Sequence, residues 1–181
     1  MADAARRHPV TASTSPAPRG IVPRVVQSWW APRRVVRGLA DMPDRTLLGV
    51  LMVALLFFLI AQAPARARDA FLDPSVSFEA RMGGALMGVM FIMPLLAYGL
   101  AALVALLSRM TRCPVDGRHS RLALFWALLA VVPAMLLAGL VQGFVGPGPA
   151  LSIAHAVAGI GFLVIWGAGL SALGGRVDNE I

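Results

Sequence analysis

Within the long apolar runs of this chain the side chains able to do chemistry are few. They are His155 and the hydroxyls of Ser152 and Ser171, with no Asp or Glu among them. Ser152 and His155 stand three apart, which on a helix places a nucleophile and a base on one face. Hydrolysis also needs a group to orient the imidazole and donors to hold an oxyanion, and no residues are placed to supply either. Paired acids, a phosphate loop, a zinc motif and a nucleotide fingerprint are missing from the sequence. The chain is therefore read as a non-enzyme with no catalytic residues. Cys113, Asp116 and His119 form the other reactive group, but their spacing matches no zinc pattern and a closed site takes four ligands. No metal and no cofactor are assigned, and a lone cysteine excludes an intrachain disulfide.

Two further groups of residues suggest binding. Gln142 and His155 flank the Gly146-Pro147-Gly148-Pro149 turn, four residues before it and six after. On an antiparallel hairpin they reach similar depth, and Arg81 with Glu79 is expected to join them in an outer polar cluster. Such a cluster suits a small headgroup or a proton site, since ionisable residues inside a membrane are functional candidates. The plainer reading, a hydrogen-bonded clasp near the interface, is favoured because His155 is shallow. The second group is Trp29, Trp30, Arg33, Arg34 and Arg37. Val35, Val36, Leu39 and Met42 fall on one face of a helix over 29–45 and the arginines on the remainder. With two amphipathic indoles at headgroup level, this predicts a helix lying on the membrane surface that binds anionic lipid or a partner. An ordinary basic flank to the first span has equal weight.

The elements that must position these residues follow from composition. Of 181 residues, 58% are hydrophobic and 14% charged, against about 45–50% and about 25% in soluble domains. Mean hydropathy is +0.75, so a soluble globule is excluded and lipid becomes part of the solvent. Four spans are predicted, at 47–63, 82–107, 122–145 and 150–173, within a membrane domain over 46–175. The fold class is an all-α polytopic bundle preceded by the short interfacial helix. Residues 1–28 hold four prolines and no apolar periodicity, and are expected to be a disordered tail. An Arg-rich, acid-poor leader also fits a mitochondrial presequence, and a misassigned start fits as well; a bacterial tail is preferred. Residues 176–181 form a short polar tail.

All 16 basic residues are Arg and the net charge is +7. Eight precede residue 46 and four lie between Ser108 and Leu122, so they flank spans and no nucleic-acid motif accompanies them. With both termini inside, 13 arginines are cytoplasmic and three external, which predicts a multi-pass protein of a bacterial cytoplasmic membrane, N-in and C-in. Trp126 and Trp166 then fall towards the cytoplasmic side, as in an aromatic belt. Pro94 and Pro133, near the middle of their spans, are expected to kink them. Gly84 with Gly88, Gly139 with Gly143, and Gly167 with Ser171 repeat the spacing of close helix packing, read as intramolecular before intermolecular.

The segment Pro32-Arg33-Arg34-Val35 and above all Arg121-Leu122-Ala123-Leu124-Phe125-Trp126-Ala127, continuing to the Gly-Pro-Gly-Pro turn, resemble a bacterial branch of the Yip family of small membrane proteins. The resemblance covers about residues 29–173. It implies an integral inner-membrane helical bundle. Eukaryotic relatives associate with small Rab-type GTPases, but this chain has four predicted spans in place of five and no Asp-Leu-Tyr-Gly-Pro-type motif, so that partner is not carried over. The functional expectation is a non-enzymatic scaffold or membrane organiser, with anionic lipid and a membrane-protein partner or a homo-oligomer. The alternative is a small oligomeric transporter or channel.

Overall fold

The computed structural model describes residues 20–110 and 114–174, and among them every regular element is a helix. Cys113, residues 1–19 of the expected tail and residues 175–181 lie outside the described residues. Two short helices, α1 (Ile21–Gln27) and α2 (Pro32–Arg37), precede α3 (Asp44–Leu72), α4 (Phe78–Met87), α5 (Met93–Ser108), α6 (Gly117–Phe144) and α7 (Pro149–Leu173). A π-turn over Gly88–Ile92 joins α4 to α5, so Phe78–Ser108 is one 31-residue rod. Four helices are thus long and apolar enough to cross a membrane, and the chain is a multi-pass membrane protein. The tail expected over 1–28 is corrected at its end, since Ile21–Gln27 is helical.

The first two spans outgrow their predicted bounds at both ends and the third begins five residues early, because helices continue past their apolar stretch, while the fourth agrees to within one residue. The first runs to Leu72 through Pro64, and charged Arg66, Arg68 and Asp69 fill its final turns. The connection between the first two spans, a loop or surface helix over 64–81 by the predicted bounds, shrinks accordingly to residues 73–77. Caps set the ends. Ser77 Oγ accepts from the Ala80 amide at 3.3 Å, the Asp116 carboxylate from the Arg118 amide at 3.2 Å, satisfying donors that a helix start leaves unpaired. Pro149 opens α7 at a position that needs no N–H. Gly146, at φ +90, takes the left-handed conformation that the turn requires.

Pro94 and Pro133 leave different marks. Proline has no N–H and its ring crowds the carbonyl four residues back. Ahead of Pro94 the helix widens into the π-turn, with the Met93 amide donating to the Gly88 carbonyl five residues back. α6 continues through Pro133 as one α-helix.

α6 is the centre of the bundle. Of its most apolar stretch 61% is buried, against 17% for Phe78–Ser108, and it packs against α3, α5 and α7. Phe125 and Trp126 are fully buried within it, and Tyr98 of α5 meets Phe125 edge-on at 5.0 Å. The α3–α6 contact depends on glycine. A Cβ on Gly139 would run into the Ala61 carbonyl, and one on Gly143 would lie 2.8 Å from the Pro64 carbonyl carbon. The backbones touch there because no side chain intervenes. Gly84, Gly88 and Gly167 are corrected: a Cβ on any of them meets nothing within 4 Å, so they pack against no other part of the described bundle. Ser120 Oγ donates to the Ala101 carbonyl at 2.7 Å and ties α6 to α5.

Both ends of the bundle carry arginine. Asp44, at the start of α3, receives Arg118 at 3.7 Å and Arg121 at 3.4 Å from α6, and Arg118 also donates to the Met42 carbonyl. We refer to this as the basic end. At the opposite end Arg68 reaches the Gly143 carbonyl at 3.5 Å, a cation among the last carbonyls of α6, where the helix dipole favours it.

Candidate functional site: an N-terminal wedge and a polar cavity

The segment expected to lie on the membrane surface is packed along one face into a groove of the bundle. Three contacts fix its register. Trp29 Nε1 donates to the Ala130 carbonyl at 3.1 Å and Trp126 Nε1 donates to Ser28 Oγ at 2.9 Å. A Cβ on Gly161 would lie 2.6 Å from Cη2 of Trp29. Ala130 and Gly161 sit near the middle of α6 and α7. Further along, a Cβ on Gly169 would lie 3.6 Å from Val36 Cγ2, and the Met42 carbonyl meets Arg118 at the basic end. Residues 28–42 therefore climb from mid-bundle to the basic end, in a groove between α6 and α7. We refer to residues 20–42 as the wedge.

Local chemistry explains why this short polar segment is buried. Ser28 is fully buried, and its hydroxyl accepts from Trp126 while donating to the Arg24 carbonyl at 2.7 Å. The relay satisfies a buried indole N–H and a buried hydroxyl together, and such chains strengthen one another where water is absent. Val35, Val36, Leu39 and Ala40 are buried as well. The headgroup-level placement of Trp29 is thereby corrected. So is the belt placement of Trp126, which is 1% exposed. Trp166 is half-buried against Phe162 at 5.5 Å, and its Nε1 is buried without a partner.

Trp30 points the other way and is 80% exposed. With Ala31, Pro32, Arg33, Arg34, Arg37 and Ala168 of α7 it lines a cleft of about 490 Å³. The three arginines are exposed, and none forms an ion pair or a side-chain hydrogen bond with a described residue. The cleft thus presents three unpaired guanidinium groups, which suit phosphate or carboxylate oxygens.

Gln142 and His155 line one cavity, as their positions about the turn predict. It measures about 210 Å³ and Gln62 supplies its third polar group, while Val89 of the π-turn and Met93 close one side. Gln62 Nε2 reaches back to the Phe58 carbonyl at 3.5 Å and its Oε1 accepts from Arg66 at 3.1 Å. Arg81 is absent from this cavity, a correction to the expected cluster. It pairs with Asp73 at 3.1 Å and donates to the carbonyls of Val76 and Asp73. The Asp73 carboxyl is held below its ordinary value, first by the hydrogen bonds from Ser75 and then by Arg81. Ser152 Oγ turns to the Gly148 carbonyl at 3.4 Å, within its own helix and not to His155. At the other proposed group, Asp116 serves as the cap of α6 and the His119 Nδ1 is buried without a partner.

Sequence reasoning missed Ser28, Gln62, Gly161 and Gly169. Gln62 was detectable, as a polar side chain inside an apolar run. Gly161 and Gly169 carry a helix-packing role that was assigned to Gly167. Ser28 gave no local signal, because its partner lies 98 residues away. No family model, curated protein or solved structure matches this chain.

Proposed function

We propose that this chain is a non-enzymatic membrane organiser of the bacterial cytoplasmic membrane, with the basic end cytoplasmic and both termini inside. Its wedge would present Arg33, Arg34 and Arg37 to anionic lipid or to an acidic membrane-protein partner. The observation that carries the reading is three arginines held on a packed element, none of them in an ion pair with a described acid. Clustered basic side chains at the inner interface favour anionic surfaces. The resemblance of Arg121–Ala127 and the Gly-Pro-Gly-Pro turn to the bacterial Yip branch supports the placement in a bacterial inner membrane.

A small oligomeric transporter is the second reading, and the cavity of Gln62, Gln142 and His155 favours it. Against it, the neighbouring cavity of about 180 Å³ is lined by Leu55, Phe58, Leu96, Leu100, Leu128 and Phe162 among other apolar residues. A solute path needs polar groups across the bundle.

Affinity purification of the full chain from native membranes in mild detergent tests the reading. A stoichiometric partner that is lost when Arg33, Arg34 and Arg37 become Glu is the expected result. A partner-free homo-oligomer that carries solute into liposomes, with flux lost in His155→Ala, would overturn it in favour of transport.

A further inference from the structure

We infer that Arg33, Arg34, Arg37 and Trp30 form a discrete site for the phosphate of one anionic phospholipid, held below the plane of its neighbours' headgroups. The inference deepens the membrane-organiser reading and rests on it, naming the ligand of the wedge.

Depth is the first argument. Ala130 is 13 residues into α6 and Ala123 is six, about 20 Å and about 9 Å from its start at 1.5 Å per residue. Trp29 is fixed to the first level, and Val36 to the second through Gly169, where an added Cβ would lie 3.1 Å from Ala123 Cβ and 3.6 Å from Val36 Cγ2. Pro32, Arg33 and Arg34 lie between them. A 28-residue helix is about 42 Å long and exceeds a hydrocarbon core of about 30 Å by about 6 Å at each end. With α6 upright and centred on the core, the backbone at Arg33 and Arg34 lies inside the apolar slab, where arginine is tolerated only by snorkelling to the interface or by drawing an anion inward.

Pairing is the second argument. No described acid neutralises the three guanidinium groups, and Asp44 is already shared by Arg118 and Arg121. A phosphate has oxygens enough to take bidentate bonds from more than one arginine. Trp30, exposed beside it, has the amphipathic ring that settles among headgroups and glycerol.

The third argument selects a lipid over free phosphate. Ala168 walls the cleft on α7, and Val164 and Ile160 follow it at four-residue intervals on the same helix face. Both are exposed, at 58% and 64%. They form an apolar ridge running from the cleft towards the bundle's mid-depth, the path that an acyl chain attached to the phosphate would take. A soluble anion has no use for it.

The test reconstitutes the full chain in vesicles of equal phosphatidylglycerol and phosphatidylethanolamine, extracts it in mild detergent and counts retained lipids by native mass spectrometry. One phosphatidylglycerol per chain is expected. R33Q/R34Q/R37Q should reduce its retention by about tenfold or more, as loss of three charges near an anionic lipid predicts. R66Q/R68Q, at the opposite end, should retain it. Circular dichroism confirms folding of each variant, and R37Q alone, nearest the basic end, replaces the triple variant if that one fails to fold. Equal retention in wild type and folded variant overturns the inference, as does equal retention of both lipids. Displacement by inorganic phosphate alone would overturn the lipid assignment. Partner capture is scored in parallel, on the same variants purified from native membranes in mild detergent. A partner retained together with unaltered lipid binding overturns the lipid site while leaving the organiser reading intact.

Discussion

Replacing Gly161 by alanine sets a methyl carbon 2.6 Å from Cη2 and 2.8 Å from Cζ3 of Trp29. Carbon atoms rest at about 3.5–4.0 Å, so the indole must retreat by about 1 Å. It is not free to do so, because Nε1 is bonded to the Ala130 carbonyl at 3.1 Å on the opposite wall of the groove. Either that bond is lost or α6 and α7 move apart. A buried donor left unpaired costs about 1–3 kcal/mol, and overpacking of a filled core costs about the same. We expect Gly161→Ala to destabilise the protein by about 1–3 kcal/mol. Gly167→Ala, with open space around it, should be near neutral. The assay is reversible denaturation in mixed micelles followed by tryptophan fluorescence, run as a double-mutant cycle with Trp29→Leu. If the two residues touch, the cycle returns a coupling of at least about 1 kcal/mol. Additive effects of Gly161→Ala and Trp29→Leu would refute the mid-bundle placement of Trp29, and with it the depth on which the lipid site depends.

Other outcomes follow from the same geometry. Ser28→Ala strips the Trp126 indole of its acceptor and should cost about 1–3 kcal/mol, whereas Ser152→Ala, at an exposed hydroxyl, should be silent in the same denaturation assay. Gly139→Ala forces α3 away from α6 at the Ala61 carbonyl and should cost about 1–3 kcal/mol; Gly84→Ala should be neutral or stabilise by up to about 1 kcal/mol through helix propensity. The Asp73 carboxyl is held below its ordinary value of 3.8, so its contribution to the 73–77 loop is complete above that value and is lost as pH falls through the lower folded value. The protection factor of the Ser75 amide, its exchange rate relative to the intrinsic rate at each pH, should fall across that acidic window, and Asp73→Asn should flatten that profile.

The four spans were legible because nothing but a helix satisfies the backbone of a long apolar run in lipid, and the Gly-Pro-Gly-Pro turn marked where two of them part. Gly139 and Gly143 were legible as packing residues. Gly84 and Gly88 have the same spacing and pack against nothing described, since spacing places two glycines on one face without saying what that face meets. The wedge was the largest departure. Its amphipathic pattern was read correctly as one apolar stripe, yet Val35, Val36 and Leu39 cover α6 and α7 in place of lipid. A short helix with a basic face has the same pattern in either setting, and only the distant partners of Ser28 and Trp29 decide between them. The polar cavity was half legible: Gln142 and His155 share a depth about the turn, but Arg81 is held by its own loop through Asp73.

The anchors of the wedge impose an order of assembly. Ser28 and Trp29 leave the ribosome about a hundred residues ahead of the groups that receive them, which stand 98 and 101 positions later. At synthesis rates of about 5–20 residues per second this gap lasts about 5–20 s. Throughout that interval Ser28 and Trp29 lack the partners that seat them in the bundle. The first of the described helices to be made thus cannot take its final seat until α6 and α7 are both in place.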